Sequence, residues 1–529
     1  MISLSRLALA GCAAAVLSAG AVRAETPADT LVIADKIDDI VSIDPAESFE
    51  FSGNDMLNNV YDTLVELDPS DLGPLVPGLA ERWSLSEDGK TYTFEMRPGV
   101  TFHSGNPVTA EDAAWSLQRA VKLNKTPSFI LTQFGFTPEN VEERVRAEGD
   151  SLIVTVDKPY APSFFYSALT AVVASIVDKK LAMEHEQNGD FGYEWLKTNT
   201  AGSGAYRLRA WKPNENYVLE ANGDYWRGAP AMKRVFVRHV PEPATQRLLL
   251  ERGDVDIARK LTPVDIEGVR GNPDIAINDE LRGRIMYVAL NQTVEPLNDP
   301  RVIEAIKYLI DYDGMADTFL KGSYVVHQAF LPIGFLGAID DKPYRLDVAK
   351  AKALLQQASV EDLTIRIFVR NDQDRLEMAQ SFQNTLAQAG IDAEIRTGTG
   401  KEILGEYRSR NHDIYLGAWG PDYSDPHTNA DTFAKNPDNS LEAQLTGVLA
   451  WRNAYPASEE TPITLAAVLE RDTGKRKAMY EEVQRIHQRQ SPFAPMFQRI
   501  EQVASRSNVE GFNAGGSIHS AFYWLVTKN

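Results

Sequence analysis

The chain has 529 residues, a formal net charge of −20, 43% hydrophobic residues and a single cysteine. That length exceeds one ordinary domain, because single cores stop growing near about 250–300 residues, and the apolar content suffices to fill large cores. The acidic balance argues against a nucleic-acid partner, which requires a clustered basic surface; one cysteine excludes a disulfide scaffold, a cysteine-ligated zinc site and an iron–sulfur cluster.

The first 24 residues read as a secretory signal peptide. Arg6 precedes the apolar run Leu7–Ala21, and Val22-Arg23-Ala24 places small residues at the −3 and −1 positions of a cleavage site. The alternative is a lipoprotein signal, since Leu9-Ala10-Gly11-Cys12 fits a lipobox, although the stretch between Arg6 and Cys12 is short for an apolar core. Cleavage after Ala24 would remove Arg6, Arg23 and Cys12, taking the net charge to −22. No later segment reaches the about 20 apolar residues of a membrane span, so the mature chain is expected to be exported and soluble.

Leu31–Ala34 is the first strand candidate, and Ser42-Ile43-Asp44-Pro45 reads as a turn. Tyr92, Phe94 and Met96 alternate with polar residues as in a half-buried strand that stops at Arg97-Pro98-Gly99. Thr109 and Asp112 form a capping box for a helix over Ala110–Lys122. Up to about residue 200, short strands such as Leu152–Val156 alternate with aromatic loops, an α+β pattern. Further on, Val302, Ile303, Ile306, Leu309 and Ile310 make a helical stripe behind Asp299-Pro300, and Asp347 can cap a helix through Gln357. Strand Leu363–Val369, helix Arg375–Ala389 and strand Ile391–Arg396, with Gly390 as the helix stop, spell a βαβ unit whose strands must run parallel. His412–Trp419 is a further strand candidate.

Catalytic motifs are absent. Gly398-Thr399-Gly400-Lys401 lacks the residues that complete a phosphate loop, and Gly202-Ser203-Gly204 runs into a strand rather than a helix. His185-Glu186 has no second histidine at metal-binding spacing, and no serine stands in a nucleophile elbow. Neither a cofactor nor a metal is expected. What stands out is a pair of opposite charges: Arg370 follows the strand Leu363–Val369, and Asp422 follows three residues after Trp419. Ligands of parallel sheets bind beyond the carboxyl ends of the strands. There an arginine can clamp a carboxylate and an aspartate can accept from an ammonium, so the pair suits a zwitterion. Trp419, Tyr423 and Phe433 are candidate apolar walls. Solvated loop charges and core aromatics are the plain alternative.

From about Leu31 to Ile500 the chain resembles the dipeptide- and oligopeptide-binding family of ABC-importer solute-binding proteins, family 5. The resemblance is carried by Gly78-Leu79-Ala80-Glu81-Arg82-Trp83, Asp88-Gly89-Lys90-Thr91-Tyr92-Thr93-Phe94, Arg97-Pro98-Gly99-Val100-Thr101-Phe102-His103-Ser104-Gly105 and Thr109-Ala110-Glu111-Asp112-Ala113. Asp224-Tyr225-Trp226-Arg227-Gly228, Asn298-Asp299-Pro300-Arg301-Val302 and Ser491-Pro492-Phe493-Ala494-Pro495 extend it in the same order.

The resemblance implies an α/β fold of the periplasmic-binding-protein type: two lobes with a hinge and an extra α+β domain. By analogy, lobe I spans 25–58, 200–282 and 506–529, the extra domain 59–199 and lobe III 283–505. It implies no enzymatic activity, a periplasmic monomer, and delivery of a peptide or opine to ABC permease subunits. Trp419-Gly420-Pro421-Asp422 matches the family's W-x-x-D loop, which makes Asp422 the expected partner of a ligand ammonium. Arg370 falls near the family's carboxylate-binding arginine, and Phe49, Glu50 and Phe51 fall where relatives line the cleft. Pro421 and His427 depart from a typical dipeptide binder, so a nickel or haem chelate stays open as the alternative, with a secreted hydrolase behind it.

Overall fold

The computed structural model describes residues 26–68, 75–515 and 521–529. The expected leader and Cys12 lie outside them. Among the described residues no helix is long and apolar enough to cross a membrane.

The largest sheet has eleven strands. At its late end Asp392–Gly398, Thr364–Arg370 and Ile414–Trp419 lie side by side and parallel, with the helix Gln373–Gln388 crossing between the first two. This is the expected βαβ unit, shifted by one or two residues, and Gly390 takes the positive φ of 87° that lets the helix stop. Arg370 is the last residue of its strand rather than the first of the loop. The period of two divides the side chains between two cores. Ile365, Ile367 and Val369 pack on one face with Met378 and Phe382, whereas Phe368 packs on the other with Tyr407, Tyr415 and Phe433.

At the early end Thr30–Asp35 pairs parallel with Arg234–His239, and Asn216–Ala221 and Tyr206–Lys212 continue the sheet antiparallel. Two long strands join the ends. Ile275–Leu290 and Phe493–Arg506 pair antiparallel from Ile275 opposite Arg506 to Ala289 opposite Phe493, and the register breaks between Leu281 and Ile285. The segment Ile285–Leu290 is buried on both faces, which explains its unbroken apolar run, while Ile275–Glu280 is only partly covered.

A separate four-stranded antiparallel sheet, in the order Ala80–Leu85, Thr91–Met96, Ser151–Thr155, Val145–Glu148, covers its own core of Phe94, Leu117, Phe134, Leu152 and Phe165. The helix Ala110–Leu123 packs on it, with Thr109 and Asp112 exchanging the expected capping-box hydrogen bonds. Asp299 caps the helix Pro300–Lys307. That helix ends sooner than the apolar stripe suggests: Leu309 and Ile310 are buried just beyond it. Thr399, inside the phosphate-loop look-alike, is the capping residue of the helix Gly400–Arg408, so those residues serve a helix end.

Candidate functional site

The loop after the strand Ile414–Trp419 reaches across to the early part of the chain. Asp422 lines a pocket of about 380 Å³ together with Ser48, Phe49, Asn54, Ile130 and Val172. Three parts of the structure therefore meet at one hollow: the segment leading into the helix Phe51–Val60, the four-stranded unit and the late sheet. Asp422 is half-buried along its length. Its carboxyl is nevertheless desolvated, and burial pushes its pKa up to about 7, opposed only by the hydroxyl of Thr428. Thr428 also takes the Asp422 amide as donor at 3.1 Å, fixing the loop.

Two further acceptors on the same wall are unspent. Ser48 Oγ and Asn54 Oδ1 are buried without a hydrogen-bond partner among the described residues. A Cβ on Gly53 would stand 2.5 Å from Ser48 Oγ, so glycine at 53 leaves the hydroxyl its place against the helix. A buried carboxylate with two unsatisfied neutral oxygens suits a group with several N–H donors, because each unpaired acceptor is costly until a donor arrives.

The other expected site residues are distributed unevenly. Phe49 faces the pocket and meets Phe129 edge-on at 5.9 Å. Glu50 is the residue before the helix, and its carboxylate accepts from the Phe49 amide at 3.1 Å. Phe51 is 46% exposed and sits under the Arg284 guanidinium. Trp419 is half-buried against the Tyr407–Phe433 core, opposite Ile285 in the adjoining strand, and its indole N–H has no partner among the described residues. Tyr423 is 3% exposed and buried in the core of the four-stranded unit, where its hydroxyl donates to Gln133 Oε1 at 3.2 Å. Phe433 is fully buried, stacked on Phe330. These last two are packing residues.

Among the described residues Arg370 and Asp422 form no ion pair with each other. Strand alternation puts Arg370 on the face of Phe368, where its guanidinium lies near the Gly400 backbone, a Cβ at 400 being 3.3 Å from its Cζ. The raised pKa of Asp422 carries no contribution from it. His427, which keeps a metal chelate open in the sequence, is engaged within the protein. It lies 3.3 Å from Asp431, 3.3 Å from the Tyr480 hydroxyl and edge-on to Phe164. Among the described residues no three His, Cys, Asp or Glu side chains are grouped to hold a metal ion. Ser48, Asn54 and Thr428 were not apparent from the sequence. The first two flank Phe49–Phe51, so their signal was proximity to that segment.

The late sheet is closed onto the four-stranded unit. Ala161 donates its amide to Val468 O at 2.9 Å, Ser167 Oγ donates to Ser424 O at 3.1 Å, and Arg476, which grips Asp425 with two bonds of 2.7 Å, also reaches Ser163. A larger cavity of about 630 Å³ lies elsewhere, lined by Asp62, Glu66, Tyr225 and Arg227. Its charges already satisfy one another, with Glu66 2.8 Å from Arg227 and Asp62 accepting from Ser203 and Tyr225.

The profile of the bacterial extracellular solute-binding proteins, family 5 (middle), matches residues 74–440. The probable D,D-dipeptide-binding periplasmic protein DdpA of Escherichia coli K12 is 28% identical over 92% of this chain and 92% of its own. The nickel-binding periplasmic protein of the same organism is also 28% identical, over 73% and 75%. The Helicobacter pylori ABC transporter-associated periplasmic binding protein DppA, solved with the peptide STSA, superimposes with a TM-score of 0.78. It is 25% identical, covering 94% of this chain and 98% of that one. The expected two-lobed α/β fold with an extra unit is the fold of these proteins.

Proposed function

The chain belongs to the family 5 extracellular solute-binding proteins of ABC importers, which bind rather than transform their ligands, and from that premise we propose that it captures a di- or oligopeptide or a peptide-like opine. The relatives named for peptides support this ligand class. The observation that carries it is the pocket at Asp422: one buried carboxylate and the unspent oxygens of Ser48 and Asn54 offer three acceptors, matching the three donors of an α-ammonium.

In this reading residues 25–58, 200–282 and 506–529 form one lobe, 59–199 the extra domain and 283–505 the other lobe. The paired strands Ile275–Leu290 and Phe493–Arg506 are the hinge. Ligand contacts from both lobes favour the closed form, and the permease subunits take the ligand from it. The protein works as a periplasmic monomer after loss of residues 1–24.

Calorimetry with Ala-Ala and with N-acetyl-Ala-Ala tests the reading. Binding of the free amine and loss of binding on acetylation support it. Equal binding of both refutes ammonium capture, and a co-purified nickel or haem complex would favour the chelate reading that the nickel-binding relative keeps in view.

A further inference from the structure

Most of the wall of the Asp422 pocket comes from the four-stranded unit. Pro127 and Ile130, from the segment between its strands Thr91–Met96 and Val145–Glu148, and residues 170–173, which follow its strand Ser151–Thr155, are six of the ten residues that line the pocket. All but Thr170 are apolar, and the Thr170 hydroxyl already donates to Ser167 O at 2.8 Å. Asp422 is the one charged residue of the lining.

This wall is held from behind. Ile130 is 2% exposed and packs with Phe134 and Phe165 in the core of the four-stranded unit. Val173 belongs to the same core, whereas its neighbour Val172 is buried with Leu57, Val60 and Trp115 in the core under the early strands. The turn Val172–Ala174 is closed by the Ala174 amide, which donates to Ala171 O at 2.8 Å, and by the Ser175 amide, which donates to Val172 O at 3.0 Å. A turn anchored in two cores yields only by disturbing both, and a close-packed interior converts added volume into strain. The pocket's space of about 380 Å³ includes its open mouth; the inner part in which whole water molecules fit is about 30 Å³. That is room for about two of them. An ammonium against Asp422, Ser48 Oγ and Asn54 Oδ1 takes one place and leaves a space the size of a methyl group.

We propose that the four-stranded unit acts as the size filter of the binding site: its wall of Pro127, Ile130, Val172 and Val173 admits a ligand whose first residue is glycine or alanine and rejects larger or charged side chains. The inference rests on the reading of the Asp422 pocket as the ammonium site. A leucine side chain would have to displace residues of two cores, and a lysine or glutamate side chain would be buried without a partner. The filter and the ammonium site fail separately: acetylation of the amine probes the second, and the length of the first side chain probes the first.

The test is calorimetry of wild type, Ile130→Ala, Val172→Ala and Ala171→Val with Gly-Ala, Ala-Ala and Leu-Ala. Wild type should bind Ala-Ala at least about tenfold more tightly than Leu-Ala, the discrimination expected of an overpacked wall. Ile130→Ala and Val172→Ala enlarge the pocket and should narrow that ratio by strengthening Leu-Ala. Ala171→Val narrows the pocket and should weaken Ala-Ala more than Gly-Ala; Ala171 is half-buried and its backbone is extended, a conformation valine adopts, so this variant decides alone if the enlarging ones do not fold. Leu-Ala bound by wild type as tightly as Ala-Ala, or ratios that none of the folded variants moves, overturns the inference. If wild type binds none of the three dipeptides, the peptide reading fails, and the filter is judged in thermal melting by methylammonium against isopentylammonium, both as chlorides. Stabilisation by methylammonium of wild type but not of Asp422→Asn, with none from isopentylammonium, supports it, and equal or absent stabilisation overturns it.

Discussion

Phe49 and Asp422 line one pocket, although Phe49 belongs to the first helix's approach and Asp422 to the loop beyond the late parallel strands. A ligand held there touches both parts at once, which is the condition for coupling binding to closure. Asp422→Ala should weaken Ala-Ala binding by about 2–5 kcal/mol, the cost of leaving a buried ammonium without its partner. Calorimetry reads this directly, and an unchanged affinity would end the ammonium role.

The same carboxyl makes closure of the ligand-free protein pH-dependent. In the closed form its pKa is about 7; opened to water it returns to the ordinary value of about 3.9. The closed form therefore binds the proton more tightly. Each unit of pH between about 4 and 7 favours opening by about 1.4 kcal/mol, and above about 7 the effect is constant. Small-angle scattering of the empty protein should give a larger radius of gyration at pH 8 than at pH 5, and Asp422→Asn should remove the difference. A radius independent of pH in the wild type would contradict the link.

Ser48 and Asn54 supply neutral acceptors to the same ammonium. Ser48→Ala and Asn54→Ala should each weaken Ala-Ala by about 0.5–1.5 kcal/mol without lowering the melting temperature, since neither oxygen has a partner to lose. Gly53→Ala should act like Ser48→Ala by displacing that hydroxyl. A melting loss without an affinity loss would assign these oxygens to folding.

Arg370→Met should change Ala-Ala affinity less than Asp422→Ala does, because the guanidinium lies near Gly400 on the opposite side of its strand from Val369. A loss confined to ligands with a free carboxylate would restore Arg370 to the site.

Arg259 is 3% exposed and joins the helix Phe51–Val60 to the crossing strands. It pairs with Asp55, with Glu501 at 3.2 Å and with Asp35 at 3.4 Å. Arg259→Met leaves those acids buried without their cation and should cost about 3–5 kcal/mol of stability. Urea unfolding checks the figure, and a loss below about 1 kcal/mol would mean that water or Lys260 compensates.

Local signals in the sequence were read well where they are short-range. The capping pairs Thr109–Asp112 and Asp347–Lys350 and the βαβ unit follow from residues a few positions apart. The loop Trp419–Asp422 was found by its pattern. Chain order places Arg370 at the sheet edge from which the Asp422 loop leaves, and strand alternation puts it on the face of Phe368, against which Trp419 also packs. Tyr423 and Phe433 looked like cleft walls because burial is decided by residues distant in the sequence: Tyr423 packs in the core of the four-stranded unit, and Phe433 on Phe330 and Phe493.

Native mass spectrometry of the protein purified from its native host tests the central claim most directly. The account predicts a bound peptide or opine with a free amine and a carboxylate, present on wild type and lost from Asp422→Ala. A haem or nickel complex on the wild type, or the same ligand retained by Asp422→Ala, would contradict it.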